Sequence, residues 1–340
     1  MVLRGSELTV EEMDRPTPGP GQVLARVRAC GICGSDLHFA RYADELIAVS
    51  RGADPAGWSA MDLERGVVMG HEFVAEVVEA GPGAGAWTPG TRVASIPVLV
   101  DPSIQRGMQS IGYSSTYPGA YGEYVLMSTP LLLRVPEGVP DRVAATTEPC
   151  AVGLHAVREA RMQPGERALV MGAGPIGLMT LLWLKQHGAQ NVAISEIAPQ
   201  RRKLAARVGA DIVIDPTTED VAARLAETGG APPVVFECIG VEGTLQQAMG
   251  LADRRGRIVV VGVCMTEDRF RPLLAINKHL TLQFVLGYTP EEFKEALESI
   301  GDGRVDTSPL VTRSVSLNEL PAAFQALSDP KDCKVVLEFA

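Results

Sequence analysis

Cysteine is scarce in this chain: six residues among 340, at positions 30, 33, 150, 238, 264 and 333. So few and so scattered, they exclude the disulfide framework that staples small secreted domains. Long apolar runs are missing as well, and none approaches the roughly 20 residues that cross a bilayer. Positive charge is in deficit, with 31 Lys and Arg against 41 Asp and Glu and a net charge of −10. That deficit argues against nucleic acid and against an anionic membrane as partner. The opening Met1–Ser6 has no apolar stretch of the secretory kind, so a cytoplasmic protein is expected. A hydrophobic content of 46% with 21% charged residues places the chain among globular proteins. Its length suggests two domains.

The two halves read differently. Up to about residue 135 the chain is rich in Gly, Pro and short β-branched stretches. Val23, Ala25 and Val27 alternate with Leu24, Arg26 and Arg28, which is a strand pattern. Phe73–Val78 and Arg92–Ile96 read the same way, and Gly81-Pro82-Gly83 and Pro89-Gly90 punctuate them as turns. Many short strands with turns between them predict a β-barrel-like domain. From about residue 165, apolar strands alternate with helical stretches: Ala168–Met171, Asn191–Ser195, Ile212–Ile214, Val234–Phe236 and Ile258–Val261. Fully apolar strands between helices predict a parallel sheet covered on both faces. Helices are expected from Pro290 and from Leu317, the latter with Ser316 and Glu319 as a capping box, and a last strand over Lys334–Phe339.

Gly172-Ala173-Gly174-Pro175-Ile176-Gly177 follows one of the apolar strands and opens a helix. Gly172 permits the tight turn, Gly174 lets a pyrophosphate approach the backbone, and Gly177 lets helix and strand pack closely. The helix N-terminus offers unpaired N–H groups to the phosphates. Glu196 lies nineteen positions beyond Gly177, at the end of the next strand. There it would accept hydrogen bonds from ribose hydroxyls and repel a 2′-phosphate, so NAD is favoured over NADP. Arg201 and Arg202 pull the other way, because guanidinium groups nearby could grip that phosphate. Ile239, Val261 and Val263 are further cofactor-binding candidates.

Cys33, His71 and a carboxylate, Glu72 or Glu148, form a mixed S/N/O donor set suited to zinc with an open coordination position. Singly, each has a bland reading: a buried thiol, a core histidine, a surface acid. Cys30 and Cys33 together form C-x-x-C, which also admits a redox pair.

Cys33-Gly34-Ser35-Asp36-Leu37-His38, Gly70-His71-Glu72, and Glu148-Pro149 with Val152-Gly153-Leu154-His155-Ala156 resemble the three metal motifs of the zinc-dependent medium-chain alcohol/polyol dehydrogenases. Glutamate at position 148, where the alcohol dehydrogenases have cysteine, is similar to the polyol and threonine branch. The resemblance spans the whole chain and implies an α/β fold of two parts. One is a β-rich GroES-like catalytic domain over 1–150 and 287–340. The other is a doubly wound Rossmann domain over 151–286. It implies hydride transfer between NAD and a secondary alcohol, polyol or hydroxy-amino acid. It also implies that Cys33 and His71 are zinc ligands, that Glu72 or Glu148 fills the remaining position, and that Cys150 is a buried thiol. Ser35 and His38 are implied as the catalytic pair, Ser35 passing the substrate proton through the cofactor ribose to His38. Zinc would lower the pKa of a bound hydroxyl, and a relay must carry the proton out of a dry site. As alternatives, Ser35 caps its helix and Asp36 supports the metal ligands.

The chain also departs from that family. Residues 97 to 120 contain no cysteine or histidine, so one catalytic zinc and no structural zinc is expected. Packing by Ile104, Met108, Ile111, Tyr113 and Tyr117 would then hold this segment. Arg51–Trp58 looks like an insertion within a longer 45–65 segment. Gly34 stands where some relatives have a basic pyrophosphate contact, leaving the phosphates to helix N–H groups. The β-prone run Leu280–Leu286 predicts an edge that pairs with a second copy in a homodimer or homotetramer. Competing functions are a zinc-free quinone or enone reductase on this fold, or an inactive nicotinamide-binding protein.

Overall fold

The computed structural model describes residues 1–53, 61–101, 107–327 and 329–339. Asp54–Trp58 of the expected insertion and Ile104 lie outside them. The chain forms two compact units, one of Met1–Glu148, Val311–Ser328 and Lys334–Ala340, the other of Pro149–Leu310 and Asp329–Cys333. Helix Pro290–Gly301 therefore belongs to the second unit, whereas the sequence reading grouped 287 onward with the first. Its Thr289/Glu292 capping box is fully formed, which fixes the helix start by pairing two otherwise orphan N–H groups. The expected Ser316/Glu319 box is also present.

The first unit is built around strand Gln22–Gly31, ten residues and nearly all buried. It pairs antiparallel with Glu72–Ala80, Tyr124–Ser128 and Lys334–Glu338. Such a strand cannot show clean alternation, because side chains on both of its faces are buried. The register opposite Glu72–Ala80 sets Cys30 against Phe73 and Gly31 against Glu72. The residues just beyond these paired ends, Ile32-Cys33 on one side and His71 on the other, are thereby brought together. On the opposite flank, Gly31 faces Val336 and Ile32 N–H donates to Val335 O at 2.9 Å. Lys334 enters the same neighbourhood.

The second unit carries a six-stranded parallel sheet. In space the strands run Ile212–Ile214, Ala193–Ser195, Ala168–Met171, Val234–Glu237, Arg257–Val260, Thr281–Phe284. The chain starts at Ala168–Met171, builds outward to one side, then returns and builds to the other. The reversal point is the crevice in which doubly wound sheets bind ligands, at the carboxyl ends of the strands. Among the described residues, no helix is long and apolar enough to cross a membrane.

Candidate functional site

In the first unit, one donor atom each from Cys33, His71 and Glu72 fall within 4.8 Å of one another. The strand register gathers them, and glycines make the approach possible. Gly70 has φ +96°, and a Cβ there would stand 2.7 Å from Tyr121 N. A Cβ on Gly31 would lie 2.2 Å from Glu72 Oε2. Gly70 therefore excludes any other residue, and a side chain at position 31 would push the Glu72 carboxylate out of its place.

A buried polar scaffold holds this group. Asp36 is fully enclosed and accepts hydrogen bonds from Tyr121 Oη at 2.6 Å, Cys33 N at 3.2 Å and Tyr113 Oη at 3.3 Å. His71 Nδ1 stands 3.3 Å from Asp36 Oδ1, a close ionic contact without the alignment of a hydrogen bond. Burial opposes charge on Asp36, but His71, Tyr121 and Cys33 N–H outweigh it and keep the carboxyl below its usual range. Burial likewise opposes charge on His71, and the neighbouring Asp36 and Cys33 outweigh it, raising the imidazole well above its ordinary value. Soft sulfur, imidazole nitrogen and carboxylate oxygen together fit zinc.

Glu72 has a second commitment. Lys334 Nζ donates to both of its oxygens, at 2.8 and 2.7 Å, and to Ile32 O at 2.9 Å. All three ammonium donors are used, and the pair is sealed from solvent. Each carboxylate oxygen retains a lone pair for a further partner. Glu148, half-buried at the start of helix Thr147–Glu159, is not a member of the clustered donor set.

Ser35 Oγ lies 3.1 Å from Cys33 Sγ and 2.8 Å from Tyr113 Oη. The Tyr113 ring leans over His71 with centroids 5.2 Å apart and meets Phe39 edge-on. His38 is half-buried, and burial first, then Arg41, lowers its pKa. Cys30 is enclosed in its strand, and burial raises its thiol well above the usual value. In the second unit Cys150 is buried and pushed up to about 12 by the same cause.

The second unit holds the glycine turn. Gly172 has φ +94°, and a Cβ on Gly177 would stand 2.0 Å from Gly172 O, so helix and strand meet only because both are glycine. Gly174 caps helix Pro175–Gln186, with Pro175 at its first position. The space beside Gly174 is open except for Arg201 Nη1, 3.9 Å from where a Cβ would sit. Open space at a helix N-terminus, lined by backbone N–H and a nearby guanidinium, fits a pyrophosphate. Glu196 is buried at the end of strand Ala193–Ser195, its carboxylate accepting from Ala173 N at 2.7 Å and Ala198 N at 2.8 Å. Both arginines have other partners. Arg201 donates to Asp332 O, and Arg202 pairs with Asp215 and donates to Glu196 O and Ile197 O. Ile239 and Val263 stand partly exposed at the strand ends, while Val261 is buried.

Sequence reasoning missed Lys334, Tyr121 and the placement of Tyr113, expected only as a packing anchor. A buried lysine inside an apolar strand, Lys334-Val335-Val336-Leu337, was the available signal for the first.

Residues 19–137 match the alcohol dehydrogenase GroES-like domain, and residues 175–302 match the zinc-binding dehydrogenase domain. The (R,R)-butanediol dehydrogenase of Bacillus subtilis (strain 168) is 34% identical over 92% of this chain and 91% of its own. The sorbitol dehydrogenase of Gallus gallus is 28% identical over 99% of this chain and 95% of its own. A solved structure assigned as a zinc-binding dehydrogenase from Sinorhizobium meliloti 1021, bound to NADP, superposes with a TM-score of 0.83 at 28% identity. It covers 98% of this chain and 96% of that one.

Proposed function

This chain belongs to the zinc-dependent medium-chain alcohol/polyol dehydrogenases, and from that premise we propose that it transfers a hydride between NAD and a secondary alcohol, polyol or hydroxy-amino acid. The observation that carries the reading is the convergence of Cys33, His71 and Glu72 within 4.8 Å, with the Ser35 hydroxyl beside Cys33. In this reading Cys33 and His71 would hold one zinc per chain, and Glu72, paired with Lys334, would take the third position. Glu148 is the weaker choice because it stands outside the clustered donors.

When bound, zinc supplies a Lewis acid that acidifies a coordinated hydroxyl, and the nicotinamide supplies the hydride acceptor or donor. The chain's own residues do the rest. Asp36 and Tyr113 orient His71 and Ser35. Ser35 would relay the proton of the substrate hydroxyl, giving up its own hydroxyl proton as it accepts that one, and His38, half-buried, would take the relayed proton and release it to solvent. Asp36, locked by Tyr121 and Cys33 N–H, supports the donors rather than acting as a base.

NAD is the favoured cofactor because the Glu196 carboxylate would repel a 2′-phosphate, while Arg201 and Arg202 are held by Asp332, Asp215 and backbone carbonyls. The edge strand Thr281–Phe284 leaves Phe284 and Leu286 exposed, and covering that edge with a second copy makes a homodimer or a homotetramer. A monomeric mass by light scattering at micromolar concentration would reject this. A cytoplasmic location belongs to the same reading, since all six cysteines are free. The function itself is tested by NAD reduction across secondary alcohols, sugar alcohols and hydroxy-amino acids. The proposal expects turnover with at least one of these classes. Turnover only of quinones or enones, in protein free of zinc, would replace it.

A further inference from the structure

We infer that Glu237 is the positioning residue for the nicotinamide end of the cofactor, its buried side chain fixing the loop that carries Ile239 against the loop that carries Val263, which its backbone carbonyl holds. The inference rests on the proposed use of a nicotinamide cofactor and adds a residue that the sequence motifs do not mark.

Glu237 closes strand Val234–Glu237 and is only 2% exposed. Its Oε1 accepts from Ile239 N at 2.7 Å and Gly240 N at 3.0 Å. Its backbone carbonyl accepts from Val261 N and Gly262 N, both at 2.9 Å. One residue therefore takes four N–H donors from two loops, those following Val234–Glu237 and Arg257–Val260. A buried carboxylate is costly unless it is hydrogen-bonded, and here the bonds to Oε1 come from the backbone of the loop that Glu237 heads.

The loops cross glycine on glycine. A Cβ on Gly262 would lie 2.3 Å from Gly240 N and 2.8 Å from Glu237 Oε2, and one on Gly240, with φ +69°, would lie 2.6 Å from Val263 N. Nothing larger fits, so the crossing has no side-chain packing of its own, and the first loop is kept at it by the bonds of Ile239 N and Gly240 N to the carboxylate. The far end of the second loop is fastened separately, Asp268 Oδ1 accepting from Gly243 N at 2.8 Å.

This frame presents two apolar side chains to solvent, Ile239 at 42% and Val263 at 51% exposure. Ile239 also borders the glycine turn, its Cγ1 standing 3.0 Å from where a Cβ on Gly172 would sit. Exposed branched aliphatics beside a pyrophosphate turn, at the carboxyl ends of a parallel sheet, suit one face of a flat heteroaromatic ring. Their separation is set by the crossing that Glu237 holds.

The test compares two ligands that differ by the nicotinamide ring alone. Dissociation constants for NADH, by fluorescence, and for ADP-ribose, by calorimetry, are measured on the full chain with Glu237→Ala, Glu237→Asp and Glu237→Gln. Glu237→Ala is expected to weaken NADH about tenfold or more and to lose the emission shift of the bound ring, while ADP-ribose binds within about twofold of wild type. Glu237→Asp, which keeps the charge but withdraws the oxygen by one methylene, is expected to weaken NADH selectively as well. Glu237→Gln retains an acceptor oxygen and is expected to recover most of the affinity. If Glu237→Ala does not fold, the Asp and Gln pair decides alone. Equal weakening of both ligands, or unchanged NADH affinity in the Ala and Asp variants, would overturn the inference and leave the proposed function standing. Wild-type protein that binds neither ligand would overturn both.

Discussion

Replacing Lys334 by Met should leave Glu72 as an uncompensated carboxylate in a sealed site. The ammonium makes three bonds, two to Glu72 and one to Ile32 O, and neither member of the pair reaches solvent. Removing one partner of a buried pair costs about 3–5 kcal/mol, because the remaining charge keeps its desolvation penalty without its counter-ion. Met fills much of the same volume, so the loss is electrostatic rather than a cavity. For a unit of this size each kcal/mol lowers the melting temperature by about 2–4 °C, so a drop on the order of 10 °C is expected. The assay is thermal unfolding by calorimetry on chelator-treated protein, where no metal can take up the freed carboxylate. The double substitution Glu72→Gln with Lys334→Met removes the stranded charge and should recover more than half of the loss. A Lys334→Met protein melting within about 2 °C of wild type, or a double variant less stable than the single one, would refute the reasoning.

Two further outcomes follow from the same geometry. Cys33→Ser or His71→Ala should abolish zinc retention and alcohol oxidation while leaving NADH affinity within about twofold, because the donors and the glycine turn lie in different compact units. Parallel loss of zinc and cofactor would contradict that separation. Glu196→Ala should shift the NADP-to-NAD ratio of kcat/KM by about tenfold or more toward NADP, the equivalent of about 1.4 kcal/mol of relieved repulsion. Equal efficiency with the two cofactors in wild type would give cofactor choice to Arg201 or Arg202 instead.

Much of this was readable before any coordinates. The glycine turn and the apolar strands around it carry local rules, since Gly172 and Gly177 are demanded by one backbone bend and one helix–strand contact. Cys33 and His71 were legible as donor types in motif context. Their meeting was not, because it depends on the pairing of Gly31 with Glu72 across two strands far apart in sequence. Lys334 was hidden for the same reason: it lies 262 residues from Glu72, and an isolated lysine in an apolar run looks like an edge residue. Tyr113 looked like a packing anchor because its ring does pack, against Phe39 and His71, while its hydroxyl serves Ser35 and Asp36. Glu237 escaped because an acid at the end of an apolar strand resembles a solvated terminus. The nearby Gly240, needed at positive φ, was the one hint that a loop folds back over it.

The central claim is that a single zinc, held in the first unit, is required for NAD-linked alcohol oxidation. Its most direct test is to strip the protein with chelator, add zinc back in measured amounts, and follow the initial rate of NAD reduction against zinc bound per chain. Negligible rate is expected at zero zinc, then a linear rise and a plateau at about one zinc per chain, the content of one catalytic site. Full activity in the stripped protein, or a rise that continues to about two, would contradict it.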